Sequence, residues 1–353
     1  MQTYAERTAG QSEKIAAFQV KQQQDYDFKR RYAEIRIREF IDECDRRELN
    51  THVSIGGLDS ITLLMLIRSL GYNIPAVSVS VLEDKSIINV HKSIGVLPLK
   101  PLKSKTTVLQ EFGFPVLSKE IAAKIELLQN PSAKNKTVRH AIITGETGEY
   151  GGYRKGTRMK MPQKWLELFG GYENAAEGVS YRMPPFKVSA KCCYYLKEKP
   201  CDDWAKEHNS VPFLGLMASE GGRRQKSLML HGCNYFGKTT IRSAPFAIFN
   251  RQDILRLALE LDVPVPEIYG EIVEEKGVLR TTKAQRTGCS MCGFGIHLEQ
   301  RPHRFDRLYE SNPAEWDFWM NRCVTDPDTG AKYGWGLVLD YIGVEWREPW
   351  TAF

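Results

Sequence analysis

The chain has 353 residues, 42% of them hydrophobic and 26% charged, with a formal net charge of +6. That length buries a large core and predicts one α/β domain with a smaller appended region, and the composition is ordinary for a globular protein. No apolar run approaches the roughly 18 residues of a bilayer span, and Met1–Glu6 lacks the basic and apolar regions of a secretion signal, which sets aside membrane and secreted classes. The expected location is the cytoplasm, where thiols stay reduced. The cysteines therefore read as metal ligands or reactive groups and not as a disulfide frame. The modest positive charge permits a nucleotide or polyanionic partner without requiring one.

Residues 1–50 read as a helical extension, with Phe28, Tyr32, Ile35 and Phe40 among its apolar positions. Residues 51–60 predict a strand running into a glycine turn. Ile61–Leu70 predicts a buried helix closed by Gly71. Ile74–Val81 predicts a second strand, and strand-helix-strand implies a right-handed parallel crossover. A further strand is expected at Ala141–Thr144. Residues 145–185 turn rich in Gly, Tyr, Lys and Pro and read as loop, with Gly145–Tyr153 either a lid or a plain connection. Arg154, Lys155, Arg158, Lys160 and Lys164 fall within eleven residues and read as a solvated surface or a polyanion contact. Phe213–Met217 predicts a buried strand and Gln252–Leu261 an amphipathic helix. From residue 303 the aromatic-rich chain reads as helical and covers a cysteine site. The expected divisions are 1–50, 51–300 and 301–353.

Half of the eight cysteines lie in two motifs: Cys192-Cys193 and, 96 positions on, Cys289-Ser-Met-Cys292. Adjacent cysteines bridge each other poorly, because their Cα atoms sit too close for relaxed disulfide geometry. The Cys-x-x-Cys spacing lets two thiolates converge on one metal from a tight turn. Four soft sulfur donors suit a structural zinc or a [4Fe–4S] cluster. Lys187, Lys191 and Lys197 flank the pair, as cations offsetting thiolate charge or as ordinary solvated residues. His297 and His303 read as structural histidines, and Cys201 and Cys233 as small buried cysteines or sulfur carriers.

The other chemical motif is Ser54-Ile-Gly56-Gly57-Leu-Asp59-Ser60. Two glycines let backbone N–H groups approach an anion, and the following helix turns its positive end toward it. Ser60 adds a hydroxyl, and Asp59 either holds Mg²⁺ or caps the helix. The competing reading is a tight strand-helix turn without a ligand. Farther on, Glu220, Arg223 and Arg224 follow a strand expected to end at the same sheet edge, where α/β sheets bind ligands. Arg forks suit phosphate or sulfate oxygens, and surface ion pairs are the plainer alternative.

The glycine turn resembles the PP-loop of the adenine nucleotide α-hydrolase superfamily, with Ile55 where the usual first serine stands and Ser54 displaced by one. The resemblance extends to its phosphoadenosine phosphosulfate (PAPS) reductase-like branch through four segments. They are Glu111–Glu120, Pro185–Pro200 with the cysteine pair, Gly215–Gln225, and Thr287–Glu299 with Pro302–Phe305. This implies a Rossmann-like, doubly wound, mostly parallel sheet with a helical C-terminal region around a metal cluster. It implies nucleotide contacts at Ser54, Gly56, Gly57, Asp59, Ser60, Gly215 and Glu220, and catalytic roles for Asp59, Ser60, Arg223 and Arg224. By the same resemblance Cys192, Cys193, Cys289 and Cys292 ligate a [4Fe–4S] cluster, with zinc on the same thiolates as the alternative.

The activity implied is ATP-dependent sulfur transfer to a nucleic acid or small substrate, with Mg²⁺ on the ATP. A sulfur donor such as a cysteine desulfurase and a homodimeric partner belong to the same expectation. A reductase of adenylyl sulfate or PAPS is the second reading. It lacks the usual tail nucleophile, since no cysteine follows Cys323. A non-catalytic nucleotide-binding module is the third.

Overall fold

A computed structural model describes residues 4–80, 83–148, 156–174, 179–289 and 291–347. The chain forms two compact units, each built from two stretches: Met1–Lys100 with Lys199–Ser290, and Pro101–Glu198 with Met291–Phe353. The first stretch carries α1 (Tyr4–Gln22), α2 (Tyr26–Arg46), β1 (Asn50–Ser54), α3 (Leu58–Ser69), β2 (Ala76–Ser78), α4 (Lys85–Ser93) and β3 (Leu97–Pro98). The second unit begins with α5 (Lys105–Phe112), α6 (Lys119–Gln129), α7 (Lys136–Thr144), α8 (Gln163–Phe169), β4 (Glu173–Asn174), β5 (Val179–Ser180) and α9 (Lys191–Cys193). The first unit resumes with α10 (Lys199–Glu207), β6 (Ser210–Leu214), α11 (Gly222–His231), β7 (Asn234–Phe236), β8 (Ile241–Ser243), α12 (Arg251–Glu260), β9 (Ile272–Glu275) and β10 (Val278–Thr281). The second closes with α13 (Arg304–Ser311), α14 (Pro313–Asn321), β11 (Val324–Thr325), β12 (Lys332–Tyr333) and α15 (Trp335–Ile342).

The first unit is α/β, with a six-stranded sheet in the order β3-β2-β1-β6-β8-β7. Every neighbouring pair is parallel except β7 with β8. β1 sits centrally, with Val53 paired to Ala76 on one side and Phe213 on the other. Strand order runs outward from β1 through β2 to β3, then restarts at β6 on its other side. That reversal is the switch point beside which open α/β sheets leave a ligand crevice.

α2 follows its expected helical reading. Asp25 caps it by accepting from Phe28 N–H at 2.8 Å. Ala33, Ile37, Phe40 and Cys44 recur at helical spacing and are fully buried. Phe40 meets Phe213 of β6 edge to face, centroids 4.9 Å apart. The buried Lys29–Asp253 ion pair, 2.9 Å long, ties α2 to α12, where Asp253 also closes a capping box with Asn250. In the second unit Trp335 and Phe305 are fully buried, Trp335 meeting Phe114 at 4.9 Å and Phe305 at 5.4 Å. Among the described residues no helix is long and apolar enough to cross a membrane.

Five expected elements differ. The strand expected at Ala141–Thr144 is the end of helix α7, with Ala141 and Ile142 buried and Gly145 at φ +79° as its left-handed C-cap. Four residues rich in β-branched side chains cannot distinguish a strand from a buried helical turn. The expected loop 145–185 contains α8, which buries Trp165, Leu166 and Phe169. Of the second strand, expected at 74–81, the described residues form Ala76–Ser78, with Val81 outside them, and the strand expected at Phe213–Met217 is Ser210–Leu214. The helix expected from Ile61 begins at Leu58, so Gly57 is its N-cap and Asp59 and Ser60 lie within its first turn.

Candidate functional site

The glycine turn joins the carboxyl end of β1 to α3, at the centre of the sheet. Ile55 is buried at 7% exposure, so its side chain belongs to the core and the position contributes no hydroxyl to the turn. Ser54 ends β1 half-buried. The Gly56 N–H donates to Ser60 Oγ at 2.8 Å, and the Ser60 hydroxyl donates to the Gly57 carbonyl at 2.9 Å. His91 of α4, 2% exposed, places Nε2 2.8 Å from the Gly56 carbonyl and Nδ1 3.0 Å from Ser80 Oγ. A carbonyl only accepts, so Nε2 carries the proton and Nδ1 accepts from Ser80. The histidine thus ties the turn to α4.

Two glycines are required by space. A Cβ on Gly57 would lie 2.3 Å from Tyr269 Oη and 3.1 Å from Thr287 Oγ1. One on Gly215, just past β6, would lie 2.9 Å from both Ser60 Cα and Ser60 N. Gly215 therefore lets β6 close against the first turn of α3, which places it at the turn through packing.

Asp59 forms an ion pair with Arg251 at 2.5 Å, and Arg251 Nη2 also donates to the Gln285 carbonyl at 3.1 Å. Burial pushes the Asp59 carboxyl up from its ordinary value, against the opposing pull of Arg251. Glu220 and Arg286 act on the same carboxyl through space. Glu220, its side chain only 12% exposed, pairs with Arg224 at 3.0 Å and Arg286 at 3.7 Å. Arg224 is thus an exposed partner of Glu220. Arg223 stands in α11, its side chain outside the described residues.

The cysteine pair lies in the second unit. Cys192 is buried and Cys193 half-buried in α9, which runs directly into a π-helical turn over Tyr194–Glu198. Ser189, just before the Ala190 N-cap of this helix, accepts from Lys191 N–H at 2.9 Å. The stretch Phe114–Leu117 anchors two cysteine-bearing segments. Phe114 N–H donates to the Lys187 carbonyl at 2.8 Å, and Ser189 N–H to the Phe114 carbonyl at 3.2 Å. On the other flank Gly295 N–H donates to the Leu117 carbonyl at 2.8 Å. The segment leading into Cys192 and the one leaving Cys292 are thereby held on one strap. Arg304 donates to the Cys292 carbonyl at 3.2 Å, and Met291 of this turn has φ +52°. Lys119 pairs with Glu198 at 2.8 Å. Burial would lower its amine, but Glu198 and Cys193 together raise it.

The four cysteines are thiols and suit a thiophilic metal by donor type. Among the described residues, however, no three His, Cys, Asp or Glu side chains are grouped to hold a metal ion. Ser290, next after Cys289 in sequence, lies outside the described residues.

Other expected residues resolve individually. Cys233 is buried and burial pushes its thiol up to about 11, while Cys323 is pushed up to about 12. Such thiols stay protonated at neutral pH and make poor nucleophiles. His303 caps α13, accepting from Asp306 N–H at 3.2 Å, with Nε2 donating to the Glu345 carbonyl at 3.0 Å. Lys164 lies 4.7 Å over the Trp165 ring, while Arg154, Lys155 and residues 149–153 fall outside the described residues. The sequence reading missed Tyr269, Thr287, His91 and Arg251. Thr287 was within sight, two residues before Cys289, but nothing local marks Tyr269 or Arg251 as neighbours of a turn some two hundred residues earlier. No protein-family model matches the chain, and no curated protein matches its sequence.

Proposed function

We propose that the first unit binds ATP or an adenylyl nucleotide on the Ser54–Ser60 turn, and that the protein carries out PAPS reductase-like sulfur chemistry, transferring sulfur to an activated substrate. The observation that carries this reading is the two-glycine turn leading from the central parallel strand into α3, at the switch point of the sheet. The positive end of α3 favours an anion there, and the Gly56 and Leu58 N–H groups now donate to the neutral hydroxyls of Ser60 and Tyr269. Gly56 and Gly57 permit close approach, Ser60 orders the turn, and Arg251, Arg286 and Arg224 supply positive charge around Asp59 and Glu220. Cys192, Cys193, Cys289 and Cys292 are the residues that would hold a [4Fe–4S] cluster. When bound, that group would supply electron transfer or a sulfur-binding surface.

A nucleic-acid substrate is supported by the surface beside the cysteine pair. Phe112 and Tyr195 stack with centroids 4.7 Å apart and planes within 9°. Lys191 lies 4.9 Å over Phe112, Lys103 lies 5.7 Å from both rings, and Tyr194 is 42% exposed. Aromatics interleaved with lysines, Tyr194 exposed and Phe112 and Tyr195 half-buried, suit single-stranded nucleic acid. Tyr194→Ala is expected to weaken its binding about tenfold, the loss of one stacked base, in a fluorescence anisotropy titration.

The non-catalytic nucleotide-binding reading draws on one observation. Asp59, expected either to hold Mg²⁺ or to cap the helix, is committed to Arg251. Pyrophosphate release from ATP separates the two. The anaerobically purified protein is expected to release pyrophosphate with Mg²⁺ and to carry about four irons and four sulfides per chain. Nucleotide binding without pyrophosphate release would favour the binding module, and one zinc without sulfide would remove the cluster.

A further inference from the structure

Tyr269 lies in a single 3₁₀ turn, Glu267–Tyr269, at 3% exposure. Its hydroxyl oxygen accepts from Leu58 N–H at 3.2 Å and lies 2.7 Å from Thr287 Oγ1. Leu58 is the first residue of α3, so this N–H is one of those a helix end leaves without an intrahelical acceptor. The same oxygen lies 2.3 Å from where a Gly57 Cβ would be, with the Thr287 hydroxyl 3.1 Å from that point. Gly56 N–H is already taken by Ser60. Two donors of the glycine turn are therefore engaged by neutral hydroxyls of the protein.

We infer that Tyr269 is a positioning residue that closes the phosphate turn and links its occupancy to the Thr287–Cys289 segment. This rests on the nucleotide reading of the turn. A phosphate oxygen carries charge and accepts a hydrogen bond more strongly than a neutral phenol. On binding it takes Leu58 N–H, and the Tyr269 hydroxyl is left to Thr287 alone. Thr287 is separated from Cys289 by one residue, Gly288, so a shift of the threonine is felt at the first thiol of the Cys-x-x-Cys turn. No covalent step is involved. The device converts arrival of the nucleotide into a change of position at the sulfur end of the first unit.

The test uses the full-length protein with ATP and magnesium, comparing wild type, Tyr269→Phe and Thr287→Val by calorimetric titration and by hydrogen exchange of the peptide covering 284–289. Tyr269→Phe is expected to bind ATP about threefold to tenfold more tightly, because Leu58 N–H no longer has a hydroxyl to give up. ATP should change exchange at 284–289 in the wild type and should not do so in either variant. A tyrosine that merely fills space predicts unchanged binding, because phenylalanine keeps the ring. Unchanged or weaker binding by Tyr269→Phe, or a nucleotide effect at 284–289 that survives in both variants, overturns the inference. Wild type that binds ATP without any exchange change at 284–289 overturns this inference alone. Wild type that binds no ATP overturns it together with the nucleotide reading.

Discussion

Gly215→Ala is expected to weaken nucleotide binding on the order of a hundredfold and to lower stability by about 1–3 kcal/mol, the usual cost of forcing an extra methyl into a packed site. The reason is what the methyl would strike. Its nearest neighbours are Ser60 Cα and N at 2.9 Å and Asp59 C at 3.1 Å, all backbone. No flexible side-chain end is available to move aside. α3 cannot retreat either, because Leu58, Ile61, Leu63, Leu64, Leu66 and Ile67 are each 1% exposed or less. The strain therefore falls on the first turn of the helix, which presents the proposed phosphate donors. A displacement of about 1 Å there costs on the order of a hundredfold in a positioned interaction. Gly56→Ala is the control, since its nearest neighbour would be Ser60 Oγ at 4.0 Å, and its unfolding midpoint should stay near wild type. Chemical denaturation and an ATP titration of both variants check the pair. A Gly215→Ala protein with wild-type stability and affinity would mean that β6 and α3 are not packed this closely.

The second large effect is on pH dependence and comes from His52 in β1. The ring is 1% exposed, its Nδ1 is 2.8 Å from Ser210 Oγ, and its edge meets Trp204 at 5.1 Å. Burial, with a smaller push from His208, lowers its pKa from 6.5 to about 4. The folded chain therefore keeps this imidazole neutral in a range where the unfolded chain protonates it. The stability at stake is fully present above about pH 6.5 and is lost as pH falls toward 4. The ceiling is roughly 3 kcal/mol, because a tenfold difference in proton affinity between the folded and unfolded chain is worth about 1.36 kcal/mol. Urea midpoints measured from pH 7.5 down to 4.5 are expected to fall more steeply for wild type than for His52→Gln. Parallel curves for the two proteins would mean that the imidazole takes up its proton in the folded state.

How far each element was readable from the sequence depends on the range over which its cause acts. The helical character of α2 was legible, but its buried face was not: of the apolar positions Phe28, Tyr32, Ile35 and Phe40, Phe28 and Ile35 are exposed, and the buried stripe is Ala33, Ile37, Phe40 and Cys44. The strand-glycine-helix order at 50–69 was legible because its signals act within a few residues, and the exact start of its helix was not. With Gly57 at the N-cap, the helix begins three residues before Ile61, and Asp59 and Ser60 enter it. α7 misled because Ala141-Ile-Ile-Thr144 carries β-branched side chains, while its helical partners are the preceding residues from Lys136 and the left-handed Gly145. α8 hid in a segment whose glycine and lysine content masked three buried apolar side chains at helical spacing.

From sequence alone came the α/β class, the glycine turn after the first strand, the paired-cysteine and Cys-x-x-Cys spacing, and the absence of a long apolar helix. Each rests on backbone geometry or on periodicity, which neighbouring residues dictate. Tertiary structure decided what those features touch. It set Arg251 on Asp59 across 192 positions and Tyr269 on Leu58 across 211. It placed Gly215 against Ser60, and it held the segments before Cys192 and after Cys292 on the strap Phe114–Leu117. These pairings follow from strand order and from which faces are buried together, and neither is encoded within any one window of the chain.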